Sequence, residues 1–301
     1  MNEVVIVSGR GGTGKTSIAA SFAALANHAI LVDCSVQTPN LHLLAEPTGD
    51  PEHAEYSGSH TAYIRWDLCI GCGRCAELCR YDAILPYGPP NRFADHSYVV
   101  DPTACRGCGV CAELCPGQAV TIAPATDGRR SVAQTRWGPL LHATLQPGYT
   151  DGGRLVTLLR NEAQELASRE EARFIICDGA AGVGPLTAAT LQNAALALII
   201  VEPSSAAFHD LRRLVTLPEF ASLTAAVCVN KFDLAEDIAT RIEQFAAEAG
   251  LAILARIPYD DSFVAAQMRR ASVVEHSDGP ATAAVRDVWQ WVESHLRPAT
   301  R

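Results

Sequence analysis

At 301 residues the chain is long enough for one large α/β domain with a small insert, or for two modest domains. Its 48% hydrophobic and 19% charged content is that of an ordinary globular protein, and a formal net charge of −9 argues against nucleic acid or an anionic membrane as the main partner. The opening residues read straight into a strand, so no secretory leader is expected, and apolar stretches such as 194–201 fall far short of the roughly 20 residues a membrane span needs. A cytoplasmic chain is expected, with cysteines that stay reduced and free to hold metal.

Residues 4–7 form a short, fully apolar, β-branched run and predict a buried central strand. A glycine-rich loop follows at 9–16, then an alanine-rich helix over 16–26 and a second buried strand over 29–33. The pattern breaks at 47–58, where proline, glycine and acid mark an excursion from the sheet. After a cysteine-rich segment the rhythm returns: helix 152–167, strand 174–177, strand 195–201, helix 209–217, strand 225–229, helix 238–249, strand 252–257 and helix 285–296. Short buried strands alternating with helices imply a parallel sheet covered on both faces. Ligands of such sheets sit beyond the carboxyl ends of the strands, where 9–16, Asp33, Asp178, Glu202 and Asn230 all fall.

Eight of the eleven cysteines occur in two copies of one pattern. The first is Cys69-x2-Cys72-x2-Cys75-x3-Cys79; the second is Cys105-x2-Cys108-x2-Cys111-x3-Cys115, followed by Pro116. Residues 67–84 aligned on 103–120 agree at ten of eighteen positions, six of which are not ligands, so the segment is an internal repeat. Cys-x2-Cys pairs also build zinc knuckles, but eight thiolates so closely spaced, with a closing proline, favour iron–sulfur chemistry. The spacing resembles that of bacterial two-cluster ferredoxins, where three thiolates of one run and the last of the other hold each 4Fe–4S cube. That resemblance assigns Cys69, Cys72, Cys75 and Cys115 to one cluster and Cys105, Cys108, Cys111 and Cys79 to the other. The remaining Cys34, Cys177 and Cys228 end apolar runs and read as small buried hydrophobes.

The loop Gly9-Arg10-Gly11-Gly12-Thr13-Gly14-Lys15-Thr16 has the form of a phosphate cradle between strand and helix. Glycine frees the amides of Gly11, Gly12 and Gly14 to point at phosphate oxygens, and the following helix adds its positive end. Thr13 and Ser17 complete the nucleotide-binding set. The motif predicts that Lys15 reaches the β- and γ-phosphates and Thr16 ligates a magnesium ion, with Asp178, at the end of its strand, as the acid that supports the metal. In Asp178-Gly179-Ala180-Ala181-Gly182 the small residues suit a loop that senses the γ-phosphate.

This loop resembles that of the MinD/ParA/nitrogenase-iron-protein class of ATPases. Supporting stretches are Asp33-Cys34-Ser35-Val36-Gln37-Thr38-Pro39-Asn40-Leu41-His42-Leu43, Glu202-Pro203-Ser204-Ser205, Phe208-His209-Asp210-Leu211, Asn230-Lys231-Phe232-Asp233 and Ile257-Pro258-Tyr259-Asp260. The chain resembles, nearly end to end, a MinD-family P-loop ATPase (residues 1–61 and 125–301) with an inserted small α+β ferredoxin domain (62–124). The resemblance implies ATP, Mg2+ and two 4Fe–4S clusters, a dimer of like or related chains, and a redox partner protein. It makes Arg10, Lys15, Asp33 and Asp178 the catalytic set, and places Asn230 and Pro258 beside the adenine.

Two positions depart from the family. Arg10 replaces a signature lysine that reaches across the dimer, and keeps its charge. Ser35 replaces an aspartate that orients the attacking water; serine cannot take up a proton as a carboxylate does. Three functions therefore stand side by side: ATP-driven electron transfer or metallocluster handling, a non-hydrolysing nucleotide-gated ferredoxin working with a partner ATPase, and an iron–sulfur carrier. His42 and His209 read as packing or hydrogen-bonding residues. The stripe Val285, Val288, Trp289, Val292, Leu296 reads as a helix docked on the sheet.

Overall fold

The structure is a computed structural model and describes residues 2–149 and 152–296. It divides into two compact units, one of Met1–His53, Arg130–Thr144 and Gly152–Arg301, the other of Ala54–Arg129 with Leu145–Asp151.

The first unit is built on a nine-stranded sheet. From one edge to the other it runs Ala252–Ile253, Thr224–Val229, Leu196–Val201, Glu3–Ser8, Ile175–Ala181, Ile30–Asp33, Gly138–Leu145, Gly128–Thr135 and Thr48–Tyr56. The pairings from Ala252–Ile253 through Gly138–Leu145 are all parallel. The central strands are buried along their whole length because helices cover both faces. Alternation along Glu3–Ser8 sends Val4 and Ile6 into a core shared with Phe22 of the helix Lys15–Ala26 and Trp289 of the helix Pro280–His295. Trp289 packs 5.1 Å from the ring of Phe22 and 5.2 Å from that of Phe174, so the C-terminal stripe docks on the sheet. On the opposite face the helix Gly152–Arg169 buries Leu155, Val156, Leu159 and Ala163.

Two expectations change. Residues 48–56, read as an excursion, form the edge strand; proline and charge are tolerated there because an edge strand leaves one row of its backbone groups unpaired. The strand expected over 252–257 is ordered as sheet only at Ala252–Ile253, with a separate parallel bridge between Asn230 and Ile257.

The second unit holds two antiparallel ribbons, His60–Ile64 with Val120–Pro124 and Ile84–Gly88 with Ser97–Val100. Each cysteine run carries one short helix, Arg74–Glu77 and Val110–Glu113, opened by a left-handed glycine, Gly73 (φ 74°) and Gly109 (φ 81°). The sequence repeat is thus a structural repeat. The unit is wider than 62–124 because Asp127 ties its two ends, accepting from the Gly58 amide (2.8 Å) and the Ser59 hydroxyl (2.7 Å).

Candidate functional site

The loop after Glu3–Ser8 turns into the helix at Gly14, whose φ of 93° only glycine adopts readily. A Cβ there would also meet the Asn230 amide nitrogen at 2.5 Å. Gly12, Gly14, Lys15, Thr16 and Ser17 line a cleft of about 420 Å3 together with Asn40, Leu43, Leu44 and Gln267. Gly11 belongs to the same exposed turn, while the buried Thr13 faces inward, its hydroxyl without a hydrogen-bond partner among the described residues.

Behind the cleft lie two buried carboxylates brought side by side by strand register, since Asp178 pairs with Asp33 across adjacent parallel strands. Asp33 accepts three backbone amides: Ser35 (2.9 Å), Asn40 (2.8 Å) and Leu41 (3.0 Å). Burial still pushes its carboxyl above the usual range, although those amides oppose the shift. Asp178 is pushed up to about 7, by burial first and by Asp33 second, against the pull of Thr16 and Lys15. Burial holds the Lys15 ammonium below its ordinary value, although both aspartates favour the charge. The Thr16 hydroxyl donates to Asp178 Oδ2 at 2.6 Å, and Asp178 Oδ1 is buried with no hydrogen-bond partner among the described residues. A hydroxyl beside an unsatisfied carboxylate oxygen is a donor set that fits Mg2+.

Asn230 is spent on the loop: its amide donates to the Thr13 carbonyl at 2.8 Å, and its Oδ1 accepts from the Lys231 amide. Pro258 follows Ile257, the bridge partner of Asn230, and is not among the residues lining the cleft. The Arg10 guanidinium sits 3.3 Å from Asp210 in its own chain, and a side chain at Gly9 would collide with Asp210.

Three contributors have no role legible in the sequence pattern. Lys231 donates to the Gly12 carbonyl at 3.0 Å, Gln267 donates to Ser17 at 2.7 Å, and Asp210 anchors Arg10. Asp210 and Lys231 stand inside family-like stretches; Gln267 has no signal at all. His42 stacks on His142 at 5.2 Å, whereas His209 is largely exposed. Cys34, Cys177 and Cys228 are fully buried, and burial pushes the Cys228 thiol up to about 12.

In the second unit the cysteines sort into two cavities. Cys69, Cys72, Cys75 and Cys115 line one with Ile70, Tyr98 and Pro116; Cys79, Cys105, Cys108 and Cys111 line the other with Arg106 and Ile122. Among the described residues no three His, Cys, Asp or Glu side chains converge tightly enough for a single metal ion. Four thiols around an apolar cavity are the donor set of a 4Fe–4S cube, and the residues fit that group. Backbone amides already point at the sulfurs: Ala83 to Cys79 (3.4 Å), Ala119 to Cys115 (3.3 Å), and both Ala62 and Gly107 to Cys105 (3.5 Å each). Burial opposes ionisation of Cys105, yet Thr61, these two amides and Arg106 bring its thiol below the ordinary value. Burial raises Cys111, and Cys75 to about 11. Gly71 and Gly107, with φ of 69° and 61°, let the ligand loops pass close to Ala94 and to the His60 carbonyl respectively.

Comparison with known proteins agrees with this geometry. A family described as a 4Fe-4S dicluster domain matches residues 62–122. Over 232 residues the chain is 30% identical to the uncharacterized protein MJ0578 of Methanocaldococcus jannaschii, covering 76% of this chain and 78% of that one. A stretch of 36 residues, 12% of this chain and 18% of the relative, is 56% identical to a component of the ion-translocating oxidoreductase complex of Hahella chejuensis. Among solved structures, the cell division ATPase MinD of Pyrococcus furiosus superposes with a TM-score of 0.56 at 17% identity, over 98% of this chain and 99% of that one. No described helix is long and apolar enough to cross a membrane. The chain thus shares the fold of MinD, carries a 4Fe–4S dicluster domain inserted into that fold, and belongs to one family with the M. jannaschii protein.

Proposed function

We propose that this chain binds ATP with Mg2+ at residues 11–17 and couples nucleotide state to electron transfer through two 4Fe–4S clusters. In this reading the amides of Gly11, Gly12 and Gly14 and the Lys15 ammonium hold the phosphates, while Thr16 and Asp178 hold the magnesium ion. Asp33 organises the loop from Ser35 to Leu41. Arg10 leaves Asp210 to meet the phosphates of a second chain, and Asn230 and Pro258 reach the base only if Asn230 gives up its bond to the Thr13 carbonyl. Cys69, Cys72, Cys75 and Cys115 hold one cluster and Cys79, Cys105, Cys108 and Cys111 the other; both supply one-electron carriers. Reduced thiols of this kind suit the cytoplasm.

One observation carries the coupling. Asn40, Leu43 and Leu44 line the nucleotide cleft, and the next element along the chain is the strand Thr48–Tyr56 that leads into the cysteine-bearing unit at Ala54. A segment ordered by the nucleotide is thereby joined directly to the redox unit, as a two-state switch requires. The internal ligation of all eight cysteines favours electron transfer over delivery of a cluster to another protein. The test is a redox titration of anaerobic, cluster-loaded protein without nucleotide, with ADP and with ATP. Midpoints that move with nucleotide support the coupling, and identical midpoints in all three states refute it.

Ser35 favours a second reading, in which this chain binds ATP but a partner completes the hydrolytic site. Its amide is held by Asp33, and its hydroxyl stands where the resemblance to MinD/ParA ATPases leads one to expect a carboxylate. Turnover rescued by Ser35→Asp in an otherwise inactive protein supports this reading; ready turnover by the wild type opposes it.

A further inference from the structure

The two halves of the cysteine repeat share their ligand spacing but differ around the first cysteine of each run. Ala83 and Ala119 are repeat equivalents, and each donates its amide to the last cysteine of its run. The first cysteines, Cys69 and Cys105, are treated differently. Cys105 Sγ receives amides from Ala62 and Gly107, whereas among the described residues no amide donates to Cys69 Sγ. Thr61 is 4% exposed with no hydrogen-bond partner for its hydroxyl among the described residues, and it precedes Ala62, whose amide meets Cys105, close enough to act on that thiol. A buried hydroxyl costs free energy unless it finds an acceptor, and the Cys105 sulfur is the acceptor available to it. The residue after each first cysteine also differs: Ile70 lines the cavity of the first quartet and Arg106 that of the second.

Hydrogen bonds to ligand sulfurs and nearby positive charge both stabilise the reduced, more negative state of a cluster, and so raise its potential. The amides on Cys105, Thr61 and Arg106 all act in one direction, opposed by Arg74, which stands beside Cys75 where the second half has Val110. We infer that Thr61 and Arg106 make the cluster held by Cys79, Cys105, Cys108 and Cys111 the more readily reduced of the two. Electrons entering at the Cys69 quartet then run downhill to the Cys105 quartet, which is the exit toward an acceptor. The inference rests on the proposed cluster ligation. Thr61 and Arg106 act through the ligand sulfur and its surroundings, so they are positioning and tuning residues.

Iron and acid-labile sulfide are first counted in the anaerobically purified protein; absence of cluster iron refutes the ligation itself and this inference with it. A redox titration followed by electron paramagnetic resonance then reads each cluster. Two separate reduction steps are expected. Thr61→Val shifts the higher step downward by about tenfold in the partition of the electron between the clusters, or about 59 mV for a one-electron couple, and Thr61→Ser restores it. Arg106→Ile, which puts the residue of the first half at the equivalent exposed position, shifts the same step by less, and the shift shrinks at high salt. A single step in the wild type, movement of the lower step, or two variants with unchanged titrations overturns the inference.

Discussion

Asp178→Asn sets nucleotide binding against stability. Asp178 is fully buried, shares its environment with Asp33 and is held at about 7 rather than near 3.8. Below about pH 4 the folded and unfolded chains both carry its proton. Between about 4 and 7 the unfolded chain releases the proton while the folded chain keeps it, so stability falls as pH rises and levels off above about 7. The separation of the two values corresponds to up to about 4 kcal/mol. Asparagine has nearly the same shape and no charge, so the variant escapes this loss. Its nucleotide-free form is expected to match the wild type at pH 4 and to exceed it at pH 8 by a few kcal/mol. Guanidinium unfolding followed by fluorescence reads this, because Trp137 and Trp289 are buried in the core of the first unit. With Mg–ATP the order reverses: the wild type gains stability and the variant, lacking the carboxylate for the ion, gains little. Parallel pH profiles for the two proteins would falsify the assignment of Asp178 as the strained acid.

Other variants probe separate parts of the molecule. Gly14→Ala forces a side chain onto a φ of 93° and into Asn230, and is expected to weaken ATP binding more than 100-fold, read by calorimetry. Glu3→Ala strands the Arg160 guanidinium, which Glu3 binds through two bonds of 2.8 and 2.9 Å in the interior; a loss of about 3–5 kcal/mol in denaturant unfolding is expected. Trp289→Ala, beneath the sheet against Phe22 and Phe174, costs about 3–5 kcal/mol by the same assay. Cys108→Ser removes one ligand from a single quartet, so iron analysis is expected to show the loss of one cluster and not both.

The central strands could be read from sequence because both their faces are covered, leaving uninterrupted apolar runs such as Val4 to Val7. The cysteine runs stand out because the spacing of a short repeat leaves little conformational choice, and the members of each expected quartet line one cavity. The edge strand Thr48–Tyr56 could not, since an exposed strand with Pro51 and three acids has the composition of a loop. Gln267 reaches Ser17 from 250 residues away through a single hydrogen bond, a contact that leaves no local pattern. Asn230 follows the strand Thr224–Val229 as its sequence position implies, but which group its amide meets depends on the backbone of Thr13, which only the folded loop supplies.

The strands Thr48–Tyr56 and Gly128–Thr135 are hydrogen-bonded neighbours, so the chain leaves the sheet and returns to it side by side. Roughly 70 residues of insert therefore occupy the place of a hairpin loop, and closing so long a loop costs only about 2.5 kcal/mol more than closing one of four residues. Melting of the inserted unit after cluster loss would be felt by the sheet as little more than a slack loop at its edge. Removal of iron by chelation is therefore expected to leave the unfolding transition of the nine-stranded sheet nearly unchanged.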